Sequence, residues 1–225
     1  MSVRVVMGGT FDPIHRGHLE LAEGIRRALG LGTLWLMPTA NPPHKSFDTI
    51  QPAEHRIAMV WAALHDYPAL AVCTLETGSQ VSYTLDSMRR LKRESPHDAP
   101  VFVLGMDSVV ELPTWDRWRQ LLEEFDLIAI RRPDLAPLDP ASMHLEVADR
   151  LQPVVDPESA TDLIEREQLG SGGRIFPLEL PTLEIASRDI RRRVREGEPL
   201  DDLVAPGVAR YIRDHDLYRK GGPEH

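Results

Sequence analysis

The sequence predicts a doubly wound α/β fold, and three observations carry that prediction. Apolar runs without polar alternation, such as residues 3–7, 101–104 and 127–130, read as strands covered on both faces. Stretches of helical periodicity separate these runs, which implies parallel strands joined by crossover helices. The first strand leads into a glycine-bearing turn and then a helix, the junction at which such sheets bind phosphates. Together they describe a Rossmann-like parallel sheet with helices on both faces, in a single domain that ends in helices.

Taken in order, residues 3–7 form the first strand and 19–29 the first helix. Strands over 33–37, 70–75, 101–104 and 127–130 follow, separated by helices over 53–64, about 84–93 and 115–123. From 133 to 173 the pattern loosens into proline-rich stretches and the joint Gly170-Ser171-Gly172-Gly173, which reads as flexible. Helices over 143–151 and 160–168 are expected inside this excursion, which belongs at one edge of the domain. A strand over 174–180 returns to the sheet, and helices over 187–196 and 206–215 close it. The domain therefore spans 1–220, and 221–225 reads as a frayed tail.

Composition excludes several classes. A chain of 225 residues is long enough for one substantial core. Its net charge of −9 argues against a non-specific nucleic-acid binder, although Arg188, Arg191, Arg192, Arg193 and Arg195 form a local basic cluster. The single cysteine, Cys73, permits no intramolecular disulfide and no cysteine-based zinc site, and its apolar neighbours make it a packed thiol. No signal-peptide pattern and no apolar run of membrane-spanning length is present, so a cytoplasmic location is expected.

The chemistry concentrates in Gly8-Gly9-Thr10-Phe11-Asp12-Pro13-Ile14-His15-Arg16-Gly17-His18. A strand–turn–helix junction aims backbone N–H groups and a helix dipole at one point. Gly8, Gly9 and Gly17 remove side chains where a ligand approaches the backbone, and His15 and His18 project from neighbouring positions at the helix entrance. A tight turn with surface histidines is the bland alternative. The string is neither a Walker A loop nor a G-x-G-x-x-G fingerprint.

Elsewhere, Lys45 puts an ammonium on a proline-stiffened loop, either for an anionic ligand or merely for solvent. Thr84 stands at a helix N-terminus that suits a carboxylate or an ordinary N-cap. Trp115 suits ring stacking or core packing, and Trp118 reads as core. Asp107, after a strand end, suits ribose hydroxyls. Ser187 reads as an N-cap with Arg191 one turn later, within reach of phosphate oxygens, while Arg192, Arg193 and Arg195 read as a solvated face.

Gly9-Thr10-Phe11-Asp12-Pro13 and His15-Arg16-Gly17-His18 resemble the T/HxGH nucleotidyltransferases. Pro42-Pro43-His44-Lys45, Ser82-Tyr83-Thr84-Leu85-Asp86, Gly105-Met106-Asp107-Ser108 with Trp115-Asp116-Arg117-Trp118, and Ile185-Ala186-Ser187-Arg188-Asp189-Ile190-Arg191 narrow the resemblance to the nicotinate-nucleotide adenylyltransferases within that superfamily. The resemblance implies transfer of an adenylyl group from ATP to nicotinate mononucleotide, with Mg²⁺ carried on the ATP phosphates and no protein metal site. It places catalysis on His15, His18 and Arg191. ATP contacts fall to Gly8, Gly9, Thr10, Phe11, Gly105, Asp107 and Ser187, and acceptor contacts to Asp12, Lys45, Tyr83, Thr84 and Trp115. Ala186 and Arg188 depart from the family's ISSTxIR motif, and the 133–173 excursion is longer than the family's. A homo-oligomer stays open. The rivals are another adenylyl- or cytidylyltransferase, such as phosphopantetheine adenylyltransferase, and a non-catalytic nucleotide sensor; an intact histidine pair speaks against the sensor.

Overall fold

In the computed structural model, residues 2–39, 50–76, 83–131, 140–165 and 169–219 are described. The apolar runs pair into one six-stranded sheet. Its strands are β1 (Ser2–Gly9), β2 (Leu34–Pro38), β3 (Leu70–Val72), β4 (Asp98–Gly105), β5 (Asp126–Arg131) and β6 (Ile175–Glu179). Every pairing is parallel, in the order β3-β2-β1-β4-β5-β6. The central strands are buried on both faces, which is why they lack polar alternation.

Nine α-helices are described: α1 (Arg16–Ala28), α2 (Ala53–Ala63), α3 (Thr84–Glu94), α4 (Met106–Glu111), α5 (Trp118–Glu124), α6 (Leu145–Ala148), α7 (Asp162–Glu165), α8 (Ser187–Glu196) and α9 (Pro206–Asp214). Strand pleating divides the core in two. Val5 and Met7 face a cluster with Leu19, Met59, Ile190 and Val208, from α1, α2, α8 and α9. Val6 faces the opposite cluster with Met88, Val109 and Leu121, from α3, α4 and α5. Helices therefore cover both faces, as the sequence predicts. Trp118 and Cys73 are both buried in the second cluster, and burial pushes the Cys73 thiol pKa up.

Some boundaries differ from expectation. The first helix starts at Arg16, three residues early, because His15 caps it. β3 stops at Val72. The helix expected from 115 begins at Trp118, since Leu112–Thr114 form a 3-10 turn and Arg117 takes a left-handed φ of 48°. α4 falls between the expected strand over 101–104 and the helix expected from 115, where the sequence reading places no element. In the excursion, α6 and α7 are single turns. The chain between them runs along the free edge of β6, where Leu151 and Val155 form parallel bridges to Ile175 and Leu178.

Gly170-Ser171-Gly172-Gly173 is a fixed structure and not a loose joint. The fully buried Asp126 carboxylate accepts the N–H groups of Gly170, Ser171 and Arg174 at 2.7–3.1 Å. Gly172 has φ 82°, and a Cβ there would sit 2.9 Å from the Glu124 carbonyl.

The strand order reverses between β1 and β4, so the sheet's switch point lies at their C-terminal ends. Met7 pairs with Val103, and two residues further along each strand stand Gly9 and Gly105. Both predicted sets of functional residues begin there.

Candidate active site

After Gly9 the chain turns through Thr10, Phe11 (φ 49°) and a cis Asp12–Pro13 bond before entering α1 at His15. Two histidines cap that helix reciprocally. The His18 N–H donates to His15 Nδ1 at 3.3 Å, and the His15 N–H donates to His18 Nδ1 at 3.3 Å. Their rings stack with centroids 3.6 Å apart. A ring nitrogen that accepts a backbone N–H carries no proton, so each neutral imidazole holds its hydrogen on Nε2. Burial lowers the His15 pKa to about 4. Burial, with His15 alongside, also holds His18 well below the usual histidine value. Both rings are therefore neutral donors at pH 7. Gly17 suits this packing, because a Cβ would press on the His15 ring at 3.1 Å and the Leu183 carbonyl at 3.3 Å.

The glycines before the turn serve packing as well as approach. The ring of Phe102 lies where a Gly8 Cβ would be, and the ring of Phe11 covers Gly9. Neither glycine lines the cleft beyond the turn. That cleft, about 280 Å³, is lined by Thr10, Phe11, Asp12, His18, Ile50, Ser187 and Arg191. His15 stands behind His18 and supports it.

Distant segments supply donors to the turn's own carbonyls. From α2, Arg56 is almost wholly buried, and its Nη1 donates to the Thr10 and Thr39 carbonyls at 2.7 Å each. Its Nε donates to the Gln51 carbonyl at 2.8 Å. From α8, the Ser187 hydroxyl donates to the Pro13 carbonyl at 3.0 Å, and Arg191 Nη1 to the Asp12 carbonyl at 2.6 Å. Ser187 is therefore not the N-cap expected of it. Ala186 is, with no side-chain bond, because its extended backbone (φ −116°, ψ 136°) already starts the helix. Past α9, the Tyr218 hydroxyl donates to Asp12 Oδ1 at 2.6 Å. Sequence reasoning missed Arg56 and Tyr218. The one available signal was an arginine on the inward side of a largely apolar helix.

The remaining predicted residues gather on the β4 side of the switch point. Gly105 ends β4, and the exposed Asp107 folds back over it, so a Cβ at 105 would strike its carboxylate. Tyr83, not Thr84, is the N-cap of α3; Thr84 is its first helical residue, and no side chain caps that end. Trp115 is half-buried, edge-on to Phe102 with centroids 6.5 Å apart. Arg117 bridges the two segments: it lies 5.8 Å from the Tyr83 ring centroid, and its Nη1 donates to Asp86 Oδ1 at 3.0 Å. None of Gly105, Asp107, Tyr83, Thr84 and Trp115 lines the histidine cleft. Lys45 and Ser82 lie outside the described residues. Arg192 and Arg193 form surface ion pairs with Glu196, Glu198 and Asp202, as expected of a solvated face.

A neutral imidazole backed by a second one, a guanidinium and a helix N-terminus at one cleft can hold a polyphosphate and stabilise charge developing on it. The family model described as cytidylyltransferase-like matches residues 6–193. A relative from Symbiobacterium thermophilum, named "Probable nicotinate-nucleotide adenylyltransferase", is 38% identical over 96% of this chain and 95% of its own length. This chain belongs to the nicotinate-nucleotide adenylyltransferase family. A second member, from Pectobacterium atrosepticum and with the same name, is 36% identical over 97% of this chain and 99% of its own. The fold agrees with that of the Plasmodium falciparum nicotinic acid mononucleotide adenylyltransferase complexed with NaAD. There the TM-score is 0.72 and identity 20%, over 97% of this chain and 98% of that one.

Proposed function

We propose that this chain transfers the adenylyl group of ATP to nicotinate mononucleotide, releasing pyrophosphate and forming deamido-NAD, as an enzyme of NAD biosynthesis. The observation that carries the reading is the reciprocal histidine cap of α1, which turns His18 toward a cleft that Arg191 also lines.

The acceptor phosphate is already an anion near neutral pH, so attack on the α-phosphorus needs no strong base. Catalysis then reduces to alignment and charge stabilisation. His18 offers an Nε2–H to a phosphate oxygen, His15 fixes the ring that does so, and Arg191 adds a guanidinium. The α1 N-terminus adds its dipole. With both imidazoles neutral in the free protein, negative charge arriving in the cleft strengthens their donor character and does not have to displace an ion partner. Thr10, Phe11 and Ser187 line the ATP side, with Gly8 and Gly9 behind them, while Gly105 and Asp107 are assigned to the adenosine.

Mg²⁺ belongs to the proposal as a passenger on the phosphates. The cleft offers one carboxylate, Asp12, and among the described residues no three His, Cys, Asp or Glu cluster to hold a metal. That donor set fits an ion held mainly by phosphate oxygens, where it would reduce their charge.

On the acceptor side, α3 opens without a side-chain cap, so its first N–H groups remain available to a carboxylate. Tyr83, Thr84 and Trp115 are assigned to the pyridine ring and its carboxylate, and Asp12 and Lys45 to the rest of the acceptor. Among the described residues no helix is long and apolar enough to cross a membrane, and the reading stays with a cytoplasmic enzyme.

Magnesium-dependent pyrophosphate release, with ATP and a panel of acceptors, tests this. Nicotinate mononucleotide should exceed nicotinamide mononucleotide in kcat/KM by at least about tenfold, the worth of one buried carboxylate–amide contact. Equal values for the two would defeat the nicotinate assignment. Turnover of phosphopantetheine alone would replace the whole reading.

A further inference from the structure

The segment after α9 comes back to the turn it is farthest from in sequence. α9 packs closely on α2: a Cβ on Gly207 would sit 2.5 Å from the Ala62 carbonyl, and His55 Nδ1 lies 3.0 Å from the Tyr211 hydroxyl. Beyond α9, Asp216 and Tyr218 both take left-handed φ values of 51° and 64°, which bend the chain sharply. Leu217 between them is buried in the core. This path delivers the Tyr218 hydroxyl to Asp12 Oδ1 at 2.6 Å, where Gln51 N–H also approaches at 3.4 Å.

Asp12 is 5% exposed, so its two oxygens have few alternatives. With Oδ1 engaged by Tyr218, Oδ2 is left 3.7 Å from Arg191 Nη1, the same nitrogen that donates to the Asp12 carbonyl. A buried carboxylate held by one short donor has a defined orientation, and its second oxygen then biases the guanidinium beside it.

We propose that Tyr218 is a positioning residue of the nucleotidyl-transfer site: its hydroxyl orients Asp12, and Asp12 in turn holds Arg191 at the cleft. The claim rests on the adenylyl-transfer reading for Arg191. Tyr218 itself does not line the cleft. Burial, together with the adjacent Asp12 carboxylate, pushes its phenol pKa up, which keeps it a donor throughout the working pH range. The segment past α9 thus belongs to the site, although the Gly8–His18 turn alone suggests a local motif of eleven residues.

The test is Tyr218→Phe, which keeps the ring and removes the hydroxyl, made both in the native chain and in an Arg191→Lys background. Melting temperature, ATP affinity by calorimetry, and separate kcat and KM values are measured for all four proteins. In the native background kcat should fall about tenfold with the acceptor KM within about twofold, the scale of one hydrogen bond to a charged group. In the Arg191→Lys background the same change should cost less than about twofold, because the group it positions is already altered. Native kcat in Tyr218→Phe would overturn the proposal. So would equal losses in both backgrounds, or a Tyr218→Phe chain that melts below the assay temperature, since each makes the hydroxyl irrelevant or purely structural. If the native chain binds ATP but adenylylates no pyridine mononucleotide, the acceptor reading fails by itself. The Tyr218 claim is then decided on ATP affinity, upheld by weaker binding only in the native background and overturned by equal binding.

Discussion

The turn after β1 and the opening of α3 flank the same switch point, yet they are held by opposite means. Donors from remote segments fix the turn: the buried Arg56 on Thr10, and the half-buried Ser187 on Pro13, Arg191 on the Asp12 carbonyl and Tyr218 on its carboxylate. At the start of α3, Arg117 and Asp86 meet as a surface pair, with side chains 36% and 54% exposed. Arg117 holds the Asp86 carboxyl below the usual carboxylate range, but solvent screens such a pair and a competing charge can replace it. The difference teaches where rigidity is needed. Charge that develops during a reaction is best met by donors that do not have to reorganise, whereas the side proposed for the acceptor is held by a surface pair that a competing charge can displace.

The comparison can be broken first at the turn. His18→Ala should lower kcat by roughly two to four decades while the chain still folds, as loss of a preorganised donor does. Steady-state kinetics beside a melting curve checks this, and near-native turnover would remove His18 from the chemistry. Next in size, Arg56→Ala should destabilise the protein by about 3 kcal/mol, since it empties a buried site and strips three part-buried carbonyls of their donor. Urea unfolding reads that loss directly, and a change below about 0.5 kcal/mol would mean that the turn does not depend on α2.

The histidine cap makes a pH prediction. Folded His15 titrates at about 4, against an ordinary value near 6.5, so between those values the unfolded chain binds more protons. Stability from this group is therefore complete above pH 6.5 and declines as pH falls toward 4, by at most about 1.4 kcal/mol per pH unit. His15→Gln, whose side-chain oxygen can still cap His18 N–H, should flatten that part of the stability profile. Parallel profiles for the two proteins would contradict the assignment. Smallest of all, Arg117→Ala should change stability by less than about 1 kcal/mol, as loss of exposed pairs does. Its visible effect should fall on the acceptor KM, leaving the ATP KM alone. A large loss of ATP binding would erase the distinction between the two regions.

Much of this was legible in the sequence because it is local. Buried strands announce themselves as unbroken apolar runs, and the β1–α1 junction carries its histidines and glycines within a single turn. The helix starts at Thr84 and Ser187 were legible, but the N-cap expected at Ser187 falls one residue earlier because the extended backbone of Ala186 decides it. The role of Gly8 and Gly9 was only half visible, since the rings that cover them come from the fold: Phe102 lies on a neighbouring strand, and Phe11 turns back from the same loop. Arg56 was legible only as an arginine on a largely apolar helix, and Tyr218 not at all. Their partners lie 46 and 206 residues away, and nothing in a linear pattern marks a hydrogen bond of that span.

The account turns on two imidazoles that give Nδ1 to the helix and keep their proton on Nε2, with His18 lining the cleft and His15 behind it. Nitrogen-15 NMR of the histidine side chains in the ligand-free protein, followed from pH 7.5 down to 4, observes this directly. His15 and His18 should both show the neutral Nε2–H form at pH 7, with His15 titrating near pH 4 and His18 well below the usual histidine value. A proton on Nδ1 of either ring, or titration of either near pH 6.5, would contradict it.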